Sequence, residues 1–109
     1  MENHFIYHIT QSSLDDISKQ GHYEHPSLAE EGFIHFSTSE QIHRVYQNFY
    51  SDLNNLIILQ VNVEKLEAEL IYEKADDLND FFPHLYGKLN LEAINNYLPY
   101  DQNENYPNH

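Results

Sequence analysis

Residues 4–9 alternate, placing Phe5, Tyr7 and Ile9 on one face of a strand and His4, Ile6 and His8 on the other. Apolar groups lie on both faces, so this strand is expected to be covered on two sides. Ser12 or Ser13 then caps a short helix carrying Leu14 and Ile17, with Asp15 and Asp16 in the first turn, where a helix favours negative charge, and Gly21 beyond its end. The stretch 21–32 reads as a long loop. In Phe33-Ile-His-Phe36 the two-residue period returns, pairing Phe33 with His35 and Ile34 with Phe36. This strand runs into Ser37-Thr-Ser-Glu40, which has the form of a capping box, and Ile42, Val45, Tyr46 and Phe49 supply the apolar stripe of a helix over 38–50.

Leu56-Ile-Ile-Leu-Gln-Val61 is an apolar run rich in branched side chains, the pattern of a central strand buried on both faces. A charged turn around Val63 to Leu66 separates it from a shorter strand, Glu69-Leu-Ile-Tyr-Glu73. Asp76, Asp77 and Asp80 mark a polar loop before Phe81 and Phe82, and Asn90 is placed to cap a last helical turn with Leu91 and Ile94 that Pro99 ends. The residues after Tyr100 are expected to fray. These elements form one domain over 1–109, ordered over about 4–100.

Composition narrows the function classes. Eighteen Asp plus Glu against five Lys plus Arg give a net charge of −13, and Arg44 is the one arginine. Nucleic-acid binding draws its affinity from cations meeting phosphates, so DNA, RNA and anionic membranes are excluded as partners. The chain has no cysteine, which removes a disulfide framework, a thiolate metal site and a thiol nucleophile. The first residues lack a cationic start and a long apolar run, so no secretory signal or membrane span is expected and the protein is placed in the cytoplasm. With three glycines there is no glycine-rich phosphate loop.

Three short aromatic segments each present one imidazole: His8, His35 and His84. A histidine in a strand is held by its sheet, and its ring can donate, accept or change charge near neutral pH. His35 is followed by Ser37, Thr38 and Ser39 at an expected helix start, where hydroxyls and free backbone N–H groups suit an oxygen-rich ligand. The alternative is a core histidine bonded to a carbonyl beside a serine that only caps. Tyr86 shares the face of His84 in an extended segment, an arrangement for stacking a planar ligand, although Phe81, Phe82 and Tyr86 serve a core equally well. Glu73 is a candidate catalytic carboxylate at a strand end, and Arg44 either pairs with Glu40 one turn back or meets a ligand phosphate. His4, His22, His25, His43 and His109 are expected in solvent. Three histidines could ligate zinc, nickel or copper, but neither His-Glu-x-x-His nor His-x-His spacing occurs, so a His-ligated metalloprotein is the weakest of the alternatives, and no Gly-x-Ser-x-Gly elbow marks a serine hydrolase.

The segments Ile6-Tyr-His-Ile-Thr10, Pro26-Ser-Leu-Ala-Glu-Glu-Gly-Phe-Ile-His-Phe-Ser-Thr38, Leu70-Ile-Tyr-Glu73 and Phe82-Pro-His-Leu-Tyr-Gly-Lys-Leu-Asn-Leu91 resemble the DUF952 family in order and spacing. The resemblance spans residues 4 to about 100. It implies kinship with ADP-ribosyltransferases: a compact α+β fold with a split sheet, antiparallel or mixed, two to three short helices and a nucleotide-sized cleft. His8 and His35 then match the positions that contact a ribose and flank a nicotinamide, while neither Glu73 nor Tyr86 matches the third position by motif. The implied ligand is nucleotide-like, NAD or an ADP-ribosyl compound, with NAD as substrate rather than resident cofactor. The expected site combines His8, His35 and Glu73 as catalytic groups with Ser37, Thr38, Ser39, Arg44, His84 and Tyr86 as ligand contacts. The competing expectation is a non-catalytic acidic module that docks a basic protein, its histidines serving as buried supports.

Overall fold

The structure, a computed structural model, describes residues 4–11, 17, 21–75 and 79–107. The cap expected at Ser12 or Ser13, the residues Leu14, Asp15, Asp16, Asp76 and Asp77, and His109 lie outside the described residues. Ile17 is described, and it is buried in the core.

Among the described residues, eight strands form three antiparallel sheets. The first contains β1 (Phe5–Thr10), β4 (Ile57–Asn62) and β8 (Ile94–Pro99) in the order β1-β4-β8. The second pairs β2 (His22–Tyr23) with β7 (Leu89–Asn90), and the third runs β3-β6-β5, with β3 Ile34–His35, β5 Glu69–Ala75 and β6 Asp80–Tyr86. One bridge ties the two larger sheets: the Tyr7 N–H donates to the Ser37 carbonyl at 2.8 Å, and the Ser37 N–H to the Tyr7 carbonyl at 2.7 Å. Mixed short helices and antiparallel strands make the fold α+β, as expected from the sequence.

The two-faced patterns of β1 and β4 have their physical counterpart in two separate cores. Ile6, Leu59 and Val61 pack with Ile34, Phe36 and Leu85 of the third sheet on one side. Tyr7, Ile9 and Ile58 pack with Ile42, Leu56 and Tyr106 on the other. β4 is central and Ile58, Leu59 and Val61 are fully buried, each such side chain contributing about 1.5–3 kcal/mol from its removal from water.

Several local expectations give way to tertiary contacts. The stretch 21–32 is not a loop: it holds β2 and helix α1 (Pro26–Glu31). Pro26 opens the helix, where its missing N–H costs nothing, the His25 side chain accepts the Ser27 N–H, and Gly32 closes it in the left-handed region at φ 91°. The expected capping box at Ser37 and Glu40 does not start a helix, because the Ser37 backbone is committed to Tyr7. Helix α2 is Ile42–Val45, with Gln41 at its N-cap, and a π-helical turn, Tyr46–Tyr50, continues it. The wider turn carries Phe49 off the apolar stripe, leaving it 57% exposed.

Asp80 belongs to β6 rather than to a loop. The expected last helix is a single 3-10 turn, Leu91–Ala93, after which Ile94–Pro99 pairs with β4. Asn90 does not cap it; its side chain accepts from the Glu67 N–H at 3.1 Å and donates to the Lys65 carbonyl at 2.9 Å. After β8, Tyr106 is buried against Tyr7, with ring centroids 5.5 Å apart.

Candidate functional site

A cleft of about 860 Å³ opens between the end of β1, helix α1, the third sheet and the π-helical turn. Phe36, Phe49, Tyr50 and Phe82 supply apolar wall, and His25, Glu31, His35 and His84 supply the titrating groups. The register of the third sheet sets His35 of β3 opposite His84 of β6, and Ile71 of β5 opposite His84 on the other side. Rows of cross-strand neighbours share a face, so His35, His84, Glu73 and Tyr86 all project from one side of this sheet.

His84 is buried, and its Nδ1 lies 2.9 Å from Glu73 Oε1. A carboxylate accepts, so Nδ1 carries the proton in the neutral ring and Nε2 keeps its lone pair. The Tyr86 hydroxyl donates to the same Glu73 oxygen. These two donors, Tyr86 first and His84 second, hold the Glu73 carboxyl below its usual range, and the carboxylate in turn pushes the Tyr86 hydroxyl up. Phe33 stacks on His84, with centroids 4.0 Å apart and planes at 15°.

His35 is exposed, its Nε2 2.8 Å from Glu31 Oε2. Its ring meets His84 edge to face at 5.2 Å. The third imidazole on the cleft is His25. The Ser27 N–H donates to its Nδ1 at 3.1 Å, so the proton of the neutral ring sits on Nε2. Burial, and secondarily the neighbouring His35, keep its pKa below the ordinary histidine value. Each of the three rings thus has one nitrogen anchored, while His25 Nε2, His35 Nδ1 and His84 Nε2 have no partner among the described residues.

His8 occupies a different place from the one expected of a catalytic group. It is buried and absent from the cleft wall, its Nδ1 lies 2.7 Å from the His35 carbonyl, and its Nε2 lies 2.9 Å from the Tyr23 hydroxyl. Burial lowers its pKa to about 3, so the ring is neutral and supports β3 from behind.

The remaining expected contacts divide. Ser37 is buried and lines the cleft. Thr38 and Ser39 are half-buried and off the wall, with the Thr38 N–H donating to Gln41 Oε1 at 3.0 Å. Arg44 pairs with Asp80 at 2.6 Å rather than with Glu40, and its guanidinium lies 5.7 Å from the centre of the Phe82 ring. Glu73 and Tyr86 reach the cleft through His84. Residues missed by sequence reasoning are His25, Glu31 and Phe33. The His-Pro-Ser order at a helix start, the four-residue spacing of Glu31 from His35, and the shared face of Phe33 and His35 were the signals. Among the described residues, no group of three or more His, Asp or Glu side chains is arranged to hold a metal, and no helix is long and apolar enough to cross a membrane.

A family model described as "Protein of unknown function (DUF952)" matches residues 8–97. The crystal structure of protein CC0527 from Caulobacter crescentus is 29% identical, with a TM-score of 0.77 over 89% of this chain and 86% of that one. The solution NMR structure of CC0527 gives 29% identity and a TM-score of 0.74 over 89% and 84%. Among curated proteins nothing matches.

Proposed function

This chain belongs to the DUF952 family of proteins of unknown function, and on that basis we propose that its cleft binds a nucleotide-like small molecule through the nitrogens of His25, His35 and His84 that have no partner among the described residues. The observation that carries this is the set of three anchored imidazoles in an aromatic-walled hollow, each with one nitrogen uncommitted among the described residues. Small-molecule sites pair such apolar walls with a few converging polar groups, in volumes of roughly 300–1,000 Å³. Two lone pairs and one N–H suit the hydroxyls and ring oxygen of a ribose, and aromatic faces suit a planar base. The ADP-ribosyltransferase kinship implied by the resemblance points to NAD or an ADP-ribosyl compound.

Charge orients such a ligand. Arg44 is engaged by Asp80, and Glu31 and Glu73 border the imidazoles, so phosphates belong toward solvent and a neutral or cationic ring belongs at the histidines. The test is an NMR and thermal-shift titration with NAD, ADP-ribose, nicotinamide and simple nucleotides. Shifts confined to His25, His35, His84 and Phe33 are expected. If millimolar concentrations of all four move none of these signals, the acidic protein-docking role takes precedence.

A further inference from the structure

We propose that His84 and His35 form a general base and general acid pair that hydrolyses an uncharged bond in a molecule bound to the cleft, with Glu73 and Glu31 as their positioning residues. The inference rests on the cleft being a small-molecule site and adds turnover to it. Two imidazoles in edge-to-face contact at 5.2 Å, each bonded through one nitrogen to its own carboxylate, are held in fixed tautomers with the other nitrogen unpaired among the described residues. Exposure assigns the roles: His35 is open to the water that solvates a cation, and His84 is 7% exposed under the Phe33 ring.

In the hydrolytic step neutral His84 takes a proton from water at Nε2 while the water oxygen bonds to the electrophilic carbon. The bond from that carbon to its leaving oxygen breaks, and protonated His35 delivers its Nδ1 proton to that oxygen. Exchange with solvent returns one proton from His84 and restores one to His35. Acidic groups surround the pair, Glu31 and Glu73 directly and Glu69 beyond Tyr86, and the one arginine is engaged elsewhere. A bond bearing a phosphate or carboxylate is therefore disfavoured, and a neutral ester fits.

The probe is p-nitrophenyl acetate, with the dianionic p-nitrophenyl phosphate as the charge control. Wild-type protein is expected to hydrolyse the acetate faster than an equal concentration of free imidazole, with a bell-shaped pH profile and no turnover of the phosphate. The groups facing the pair, His25, Glu31, Glu73 and Tyr86, shape that profile. His84→Ala should lower kcat by about 100-fold. Glu73→Gln, a change at the rim that leaves the core intact, should lower kcat by about 10- to 100-fold with KM unchanged and move the acid limb of the profile downward. A merely structural glutamate would not move that limb. A rate no greater than that of free imidazole, or full activity in both variants, overturns the catalytic pair. If NMR shows ligand-induced shifts at His84 and His35 without turnover, only the catalytic pair fails. Absence of shifts with the ester, NAD and ADP-ribose overturns the binding cleft as well.

Discussion

His8 holds the backbone carbonyl of His35 with its Nδ1 at 2.7 Å, across 27 residues of sequence. The two rings therefore do different work. His8 is a neutral support whose geometry fixes β3, and His35 is the ring that β3 then presents at the cleft.

This relationship makes stability depend on pH. The folded-state pKa of His8, about 3, lies below the ordinary value of 6.5, so only the unfolded chain takes up the proton between them. The stabilising contribution is complete above pH 6.5 and is lost as pH falls toward 3. Between pH 7 and 4.5 the wild type should lose roughly 2–3 kcal/mol more than His8→Gln, read by urea unfolding at each pH. Equal losses in the two proteins would show that His8 is not buried as a neutral ring.

Phe33 is half-buried, so its main effect is on the ring it covers. Phe33→Ala removes the 4.0 Å stack on His84, an interaction of about 0.5–1.5 kcal/mol. The expected outcome is a loss of stability of about 0.5–1.5 kcal/mol, read by thermal unfolding, with a roughly two- to tenfold rise in the Kd of a cleft ligand, measured by calorimetric titration.

Tyr7 ties Pro107 to the first sheet. Its hydroxyl donates to the Pro107 carbonyl at 2.5 Å and accepts from Gln60 Nε2 at 3.0 Å. Tyr7→Phe should cost about 1–3 kcal/mol, because it leaves the buried Gln60 amide short of a partner. Hydrogen exchange over residues 101–107 should accelerate while exchange in β4 changes only with global stability.

Gly87 has φ +153°, and a Cβ placed there would lie 2.8 Å from the Ala68 Cβ. Gly87→Ala is expected to destabilise by about 1–3 kcal/mol, combining backbone strain with overpacking. Adding Ala68→Gly should recover only the contact part, which a double-mutant cycle in urea resolves.

Local pattern was enough wherever a period and two-sided burial coincide. The alternation of Phe5 to Ile9 and the apolar run of Leu56 to Val61 specified strands covered on both faces, and the structure places a separate core against each face. His35 and His84 were singled out from strand segments, and the register makes them cross-strand neighbours. The spacing of Leu91 and Ile94 suited a helix, but pairing of Tyr97 with Leu59 and Leu98 with Ile58 drew the segment into the sheet.

By itself the amino-acid sequence determined an acidic α+β domain with a two-faced central sheet and histidines set in its strands, because residue period and charge are local properties of the chain. Only the tertiary structure decided which imidazoles face the cleft. A ring's role depends on what meets its nitrogens, and those partners come from elsewhere in the fold: the His35 carbonyl and Tyr23 for His8, Glu73 for His84, and the start of α1 for His25. Tertiary contact likewise made β8 a strand and ordered Tyr106 against Tyr7, since both outcomes turn on surfaces that exist only after the chain has folded.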